Sequence, residues 1–307
     1  DLYKIGDSEY ADYSKGKFTN TAYVDVNGDS FELKLERKNN LVLDKIDAAT
    51  ANWDTPQGVA ADSDSIFVAD SVKRVLYKIN SQTLAVQSSK TGLGTPFGVE
   101  IDDAHVYVSD SARHVVYKYR KSDFAKVGSF GVEYSEGSSE NTLKAPEDIA
   151  IDPSRNYLYI NDAGNKRIVK VNLEGLSYVA DRPYTFFEKM DLVSGIAADD
   201  EAIILSNPGG HIIGKYDSNF TFGTAQSLFG EYNSAAGDTA HLNTPLQLGQ
   251  DASYIYVADS ANNRVVKMSY NLRYISSYGS DSISYLNGPA AVSGCNERIY
   301  VSDQGNK

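Results

Sequence analysis

The stretch "YIYVADSANNRVVKMSY", residues 254–270, decides the fold. It reads as a short alternating strand, a polar turn at "DSANN" and a second alternating strand, rich in Val, Ile and Tyr throughout. Nearly the same phrase occurs as "SIFVADSVKRVLYKI" from Ser65 and as "HVYVSDSARHVVYKY" from His105. Self-similarity of this kind is the signature of a repeat architecture.

Working outward, each copy begins with an apolar inner strand, in most cases behind a proline: "TPQGVAAD" (55–62), "TPFGVEID" (95–102), "APEDIAID" (145–152), "LVSGIAAD" (192–199), "TPLQLGQD" (244–251) and "GPAAVSG" (288–294). Second strands end at Asp70, Asp110, Asp162, Asn207, Asp259 and Asp303, at intervals of 40, 52, 45, 52 and 44 residues. Third strands follow as "RVLYKIN", "HVVYKYR", "RIVKVNL", "HIIGKYD" and "RVVKMSY", and weaker fourth strands as in "KVGSFGV" and "YISSYGS". Four short strands per 40 to 50 residues is the size of a propeller blade. The fold class is therefore all-β: a single β-propeller of four-stranded antiparallel blades spanning 1–307.

The phrases "GVAADSDSIFVADSVKRVLYKI" and "ADSANNRVVKM" resemble NHL repeats, and the resemblance covers residues 55–307. It implies a mostly six-bladed ring. The usual inner-strand Gly is Asp148 in the third unit and Gln247 in the fifth, and "LSNPGGH" stands where the fourth unit should carry Asp. The last unit stops after two strands. Strands lent by the N-terminal segment, residues 1–50, are expected to close the ring, "DSFELKLERKNNLVLDKIDAAT" (29–50) reading as a third and fourth strand. In that register there are six blades, which we favour. "TAYVDVNG" and "DLYKIG" allow a second register with seven.

The 307 residues carry a net charge of −12 and a pI near 4.8, which argues against general nucleic-acid binding. "LKLERKNN" (33–40) is the densest basic run and reads as a solvated strand edge. No apolar run reaches the roughly 18 residues of a membrane-spanning helix. Cys295 is the only cysteine, so no intrachain disulfide forms. The sequence starts at Asp1 rather than Met, as processing of an exported precursor would leave it. An extracellular or envelope-associated location is the expectation.

The Asp series (Asp70, Asp110, Asp162, Asp259, Asp303) occupies one turn in successive blades, so its members share no site and read as structural turn residues that cap backbone amides. Arg or His is expected to close the same turn, at Arg74, His114, Arg167, His211 and Arg264. The starts of the inner strands can converge at a tunnel mouth, which makes Gln57, Phe97, Glu147, Asp148 and Gln247 candidate ligand-binding residues. His241, in "GEYNSAAGDTAHLNTP" (230–245), would stand at the rim. Glu147 and Asp148 are the candidate ligands for a divalent cation, although adjacent strand residues point opposite ways. No nucleophile or cofactor motif is present, and no catalytic residue is nominated. "GVEYSEGSSENTLKAP" (131–146) and "GEYNSAAGDTAHLNTP" resemble one another, each following a Phe-Gly pair, and are expected to enlarge one face into a contact surface.

These features favour a non-enzymatic binding or assembly scaffold with a protein or glycan partner, self-assembly included. The alternative is a propeller lyase or lactonase with a divalent cation at the tunnel mouth.

Overall fold

The computed structural model describes residues 53–306 apart from 222, 280–285, 296 and 297, together with the backbone of four N-terminal strands. Those four form two hairpins: β1 (Leu2–Ile5) with β2 (Glu9–Asp12), and β3 (Ala22–Val26) with β4 (Asp29–Leu33).

Five four-stranded antiparallel sheets follow, each in simple meander order. The first is β5 (Pro56–Ala61), β6 (Ser65–Asp70), β7 (Val75–Asn80) and β8 (Val86–Lys90). The second is β9 (Pro96–Ile101), β10 (His105–Asp110), β11 (Val115–Arg120) and β12 (Lys126–Gly131). The third is β13 (Ile149–Ile151), β14 (Tyr157–Asp162), β15 (Arg167–Asn172) and β16 (Ser177–Pro183). The fourth is β17 (Ile196–Ala198), β18 (Ala202–Asn207), β19 (Ile212–Asp217) and β20 (Ser227–Phe229). The fifth is β21 (Pro245–Gln250), β22 (Tyr254–Asp259), β23 (Arg264–Ser269) and β24 (Tyr274–Tyr278). A last pair, β25 (Pro289–Cys295) and β26 (Arg298–Asp303), forms a two-stranded sheet. Among the described residues the protein is an all-β propeller with five complete blades, where six or seven were expected. The segment expected to complete another blade, 29–50, lies outside the described residues except for 29–33, which form β4 of the β3–β4 hairpin.

Burial is set by a strand's place in the blade more than by strict alternation. Second strands are the most deeply buried because both faces pack on neighbouring blades: β6 and β18 are buried along their whole length. Fourth strands such as β8 are mostly exposed. The apolar clusters lie between blades, as where Phe67, Leu76, Val106 and Tyr117 of the first two blades meet.

Two repeated polar contacts tie one blade to the next. Ser109 Oγ donates to the Glu147 carbonyl, Ser206 Oγ to the Leu246 carbonyl at 2.6 Å, and Ser302 Oγ of the two-stranded sheet to the Gln57 carbonyl at 3.1 Å. The inner strand β25 thus lies beside β5 as well as β21. Farther out, Lys78, Lys118, Lys170 and Lys215 each send Nζ to a carbonyl of the following blade, at Lys121, Leu173, Ser218 and Tyr270, over 3.0–3.2 Å. Arg298 makes the corresponding bond to Ser81 O at 3.3 Å. Lys267 holds the same place in the fifth blade, and its Nζ sits 3.7 Å from the Tyr254 ring centroid.

Candidate functional site

The face where inner strands begin, here the upper face, is organised by the Asp series. Each carboxylate lies at the end of a second strand and reaches the loop that leads into its own blade. Asp70 accepts from the amides of Asp54 (2.6 Å), Val72 (3.1 Å) and Lys73 (2.8 Å), and Asp110 from those of Gly94 (2.6 Å) and Thr95 (2.9 Å). Asp162 and Asp259 accept from Lys144 and Asn243 amides at 2.6 Å, and Asp303 from Asn287 at 3.0 Å. Asn207 keeps the geometry without the charge, accepting from Gly210 N and donating to Lys189 O. These bonds join the turn to a loop 15 to 18 residues upstream, which sequence spacing did not reveal.

The Arg and His residues assigned to one turn position occupy two. Arg74, His114 and His211 adopt left-handed backbone at φ 60°, 61° and 58°, the conformation that Lys166 and Asn263 take in the third and fifth blades. Arg167 and Arg264 stand one residue later and open the third strands. The difference has a purpose in each case. His114 Nδ1 accepts from Ala145 N at 3.1 Å, His211 Nδ1 from Thr244 N at 3.2 Å, and Asn263 Oδ1 from Gly288 N at 2.9 Å. Each side chain therefore fixes the residue before the next inner-strand proline. An Nδ1 that accepts carries no proton, so both imidazoles hold theirs on Nε2.

Arg167 and Arg264 pin the two insertions. Arg167 Nε binds Asp162 at 2.7 Å, and its guanidinium donates to the carbonyls of Ser138, Ser139 and Thr142. Arg264 Nε binds Asp259 at 2.6 Å and donates to the Gly237 and His241 carbonyls. Asn165 and Asn262 add matching bonds to Gly137 O and Ala236 O, both 2.7 Å. Leu143 and Leu242 anchor the insertions in the core. Gly131 and Gly230, at φ 97° and 92°, make the corner after each fourth strand; a Cβ there would lie 2.4 and 2.5 Å from the carbonyls of His114 and His211. Thus fixed, the insertions present Tyr134 (71% exposed), Val132 and Tyr232 on the upper face.

His241 belongs to this face. Its Nδ1 lies 2.8 Å from Asp238 and its Nε2 3.3 Å from Glu231. The Asp238 and then the Glu231 carboxylate hold its pKa above the usual histidine value. The first insertion has neutral groups in the corresponding place, Ser139 and Thr142.

The tunnel candidates separate. Gln57 Oε1 accepts from Gln304 Nε2 at 2.9 Å. Phe97 is half-buried, and its carbonyl closely approaches Gly58. Glu147 accepts from Ser109 through its carbonyl, and burial raises its carboxyl pKa. None of these three lines the cavity at the centre of the ring, and neither does His241. Asp148 and Gln247 do line it. That cavity, about 470 Å³, runs from their level to the turns after the inner strands, where Asp62, Asp102, Asp152 and Asp251 stand. It opens on the lower face, opposite to the expected mouth. Glu100, which the sequence reading passed over, also lines it. Desolvation pushes the Asp148 carboxyl up to about 8; desolvation and then the Asp148 charge push Glu100 up to about 8. Among the described residues no three His, Cys, Asp or Glu side chains come together as metal ligands.

No family model matches the chain, and no curated protein matches it. Solved structures do. A protein of unknown function from Bacteroides thetaiotaomicron superposes with a TM-score of 0.65 at 17% identity, covering 99% of this chain and 85% of that one. Virginiamycin B lyase from Staphylococcus aureus gives 0.55 at 12% identity, over 94% of this chain and 86% of the lyase. A chain of a nidogen/laminin complex gives 0.52 at 15%, over 73% and 79%. At these identities the likeness shows the fold, a β-propeller, and no activity.

Proposed function

We propose that the protein is a non-enzymatic binding or assembly scaffold of NHL type, working outside the cell or in its envelope, whose upper face docks a protein or glycan partner. The observation that carries this reading is the pair of insertions at 131–146 and 230–245. Each is held by a buried Arg–Asp pair and an Asn side chain, and each places an exposed tyrosine, Tyr134 or Tyr232, on the same face. Rigid aromatic side chains are effective anchors because little conformational freedom is lost on binding. Within this reading the ring has six blades, and the N-terminal segment, residues 1–50, supplies the outer strands that β25 and β26 lack. A propeller in a nidogen/laminin complex is a precedent for a protein partner.

Photo-crosslinking tests the reading. A benzophenone side chain placed at Tyr134 or Tyr232 should capture a defined partner at the cell surface. The same group at Val86 or Ile275, on outer strands, should not. Capture from the outer strands alone would overturn the assignment of the upper face. The lyase among the structural neighbours suggests the rival reading, a cation-dependent enzyme. It requires that calcium, zinc or manganese bind at the channel through three or more side chains.

A further inference from the structure

The central cavity lies apart from the insertions of the upper face. At two inner-strand positions that share a side, the six units hold Gly58, Gly98, Asp148, Gly195, Gln247 and Ala291, and then Ala60, Glu100, Ala150, Ala197, Gly249 and Ser293. Of these, Ala60, Glu100, Asp148, Gln247, Gly249 and Ser293 line the cavity, so three larger polar side chains stand at positions otherwise held by Gly, Ala and Ser. The small residues are needed for packing: a Cβ on Gly249 would lie 2.0 Å from Val292 O. Glu100, Asp148 and Gln247 are not needed for it.

Gln247 is 4% exposed, and its Nε2 has no hydrogen-bond partner among the described residues. A buried donor left unpaired is costly, so its presence in a cavity wall points to an acceptor supplied from outside the chain. Asp148, also 4% exposed, uses Oδ2 to accept from Ile196 N at 2.9 Å. Glu100 makes only a long 3.4 Å contact with Ile101 N. The Ile149 and Leu248 amides also approach the Asp148 carboxyl, and because a carboxylate oxygen accepts more than one bond both carboxyls can still take a ligand. Gln250, by contrast, is engaged at both ends, by Ala198 N at 2.7 Å and Ile151 O at 3.1 Å.

At the mouth, Lys121 is paired with Asp62 and Arg155 with Asp103, while Asp102, Asp152 and Asp251 keep the vestibule acidic. Such a mouth concentrates cations. The volume is that of a small-molecule site.

We propose that this cavity binds a small amino alcohol, whose ammonium group donates to Glu100 and Asp148 while its oxygen accepts from Gln247 Nε2. Burial keeps both carboxyls largely protonated at neutral pH. Binding therefore releases protons, and affinity rises with pH as long as the amine stays charged.

Isothermal titration with ethanolamine and 4-amino-1-butanol tests the proposal. Ethylene glycol serves as the uncharged counterpart and choline as a cation without N–H donors. One or both amines should bind saturably, roughly twentyfold more tightly at pH 8.5 than at pH 6.5, from the ionised fraction of a carboxyl near 8. Asp148→Asn and Gln247→Leu should each weaken binding about tenfold or more with the thermal melt retained, one charged or hydrogen-bonded contact being lost. Glu100→Gln provides a second carboxyl variant if either fails to fold. Changing Tyr134 and Tyr232 to Ala should leave amine binding intact. No saturable heat from either amine at 50 mM, equal binding of ethylene glycol or choline, or affinity independent of pH would each overturn the proposal. Tight binding of manganese or calcium that excludes the amines would overturn it in favour of a metal site.

Discussion

Arg264 Nε donates to Asp259 Oδ2 at 2.6 Å with both side chains buried, and Arg167 and Asp162 repeat the pair at 2.7 Å before the third blade's own third strand. The first, second and fourth blades have Val75, Val115 and Ile212 where these arginines stand. An arginine opens the third strand in the two blades that receive an insertion, where it supplies buried donors to loop carbonyls; in the second blade Arg113, from the turn itself, makes a looser 3.8 Å contact with Asp110 and donates to the Gly92 carbonyl.

The pair sets the cost of losing a turn carboxylate. From turn chemistry alone, Asp259→Ala should cost about 1–2 kcal/mol. The structure raises this to roughly 3–5 kcal/mol, because the guanidinium would be left buried and uncompensated. Asp70→Ala, whose carboxylate accepts from backbone amides, should stay near 1–3 kcal/mol. Urea denaturation of both variants measures the difference. Equal losses would show that the Arg–Asp pair has no special weight.

Deleting residues 1–50 probes the proposed sixth blade. Without outer strands, β26 would present an open edge, and Lys267 would have no following-blade carbonyl to bind. The melting temperature should fall by roughly 10 °C or more. An unchanged melt, read by calorimetry, would remove the N-terminal segment from the ring.

Burial raises the Asp148 carboxyl to about 8, so the folded state holds a proton that the unfolded chain releases near pH 4. Between those values the folded form binds more protons, and stability must fall as pH rises from about 4 to about 8. Asp148→Asn should flatten that decline. It should be more stable than the parent at pH 8 and indistinguishable near pH 4, as chemical denaturation across the range would report. A parallel decline in both proteins would mean that Asp148 titrates normally.

His241 gives the same sign for a different reason, a charged form held by carboxylates rather than a charge excluded by burial. Its pKa is held above the ordinary value, first by Asp238 and then by Glu231, so ordering of the second insertion is fully present below about pH 6.5 and is lost as pH rises through the raised value. Hydrogen-exchange protection factors for the Ala240 and His241 amides, which donate to Asp238, should drop above neutrality. The neutral Ser139–Thr142 turn of the first insertion should hold. Protection falling equally in both would point to a cause other than His241.

The blade repeat, the antiparallel strands and the capping role of Asp70 and its counterparts follow from the chain's own text, because each depends on residues within one blade. The Val, Ile and Tyr strands of "YIYVADSANNRVVKMSY" are already recognisable there, although burial runs almost continuously along the first of them rather than alternating. Even the likeness of the two insertions is visible there. What holds them was not, since Arg167 meets Ser138 and Thr142 across 25 to 29 residues of chain, and Arg167 and Arg264 stand one residue beyond the left-handed position that His114 and His211 occupy. The number of complete blades was not legible either, for it depends on which distant segment joins β26. Nor was the cavity. Glu100, Asp148 and Gln247 stand on three different blades, and nothing local marks them as neighbours. Only closure of the inner strands around an axis brings their side chains to one channel, removes them from water and raises two carboxyl pKa values together.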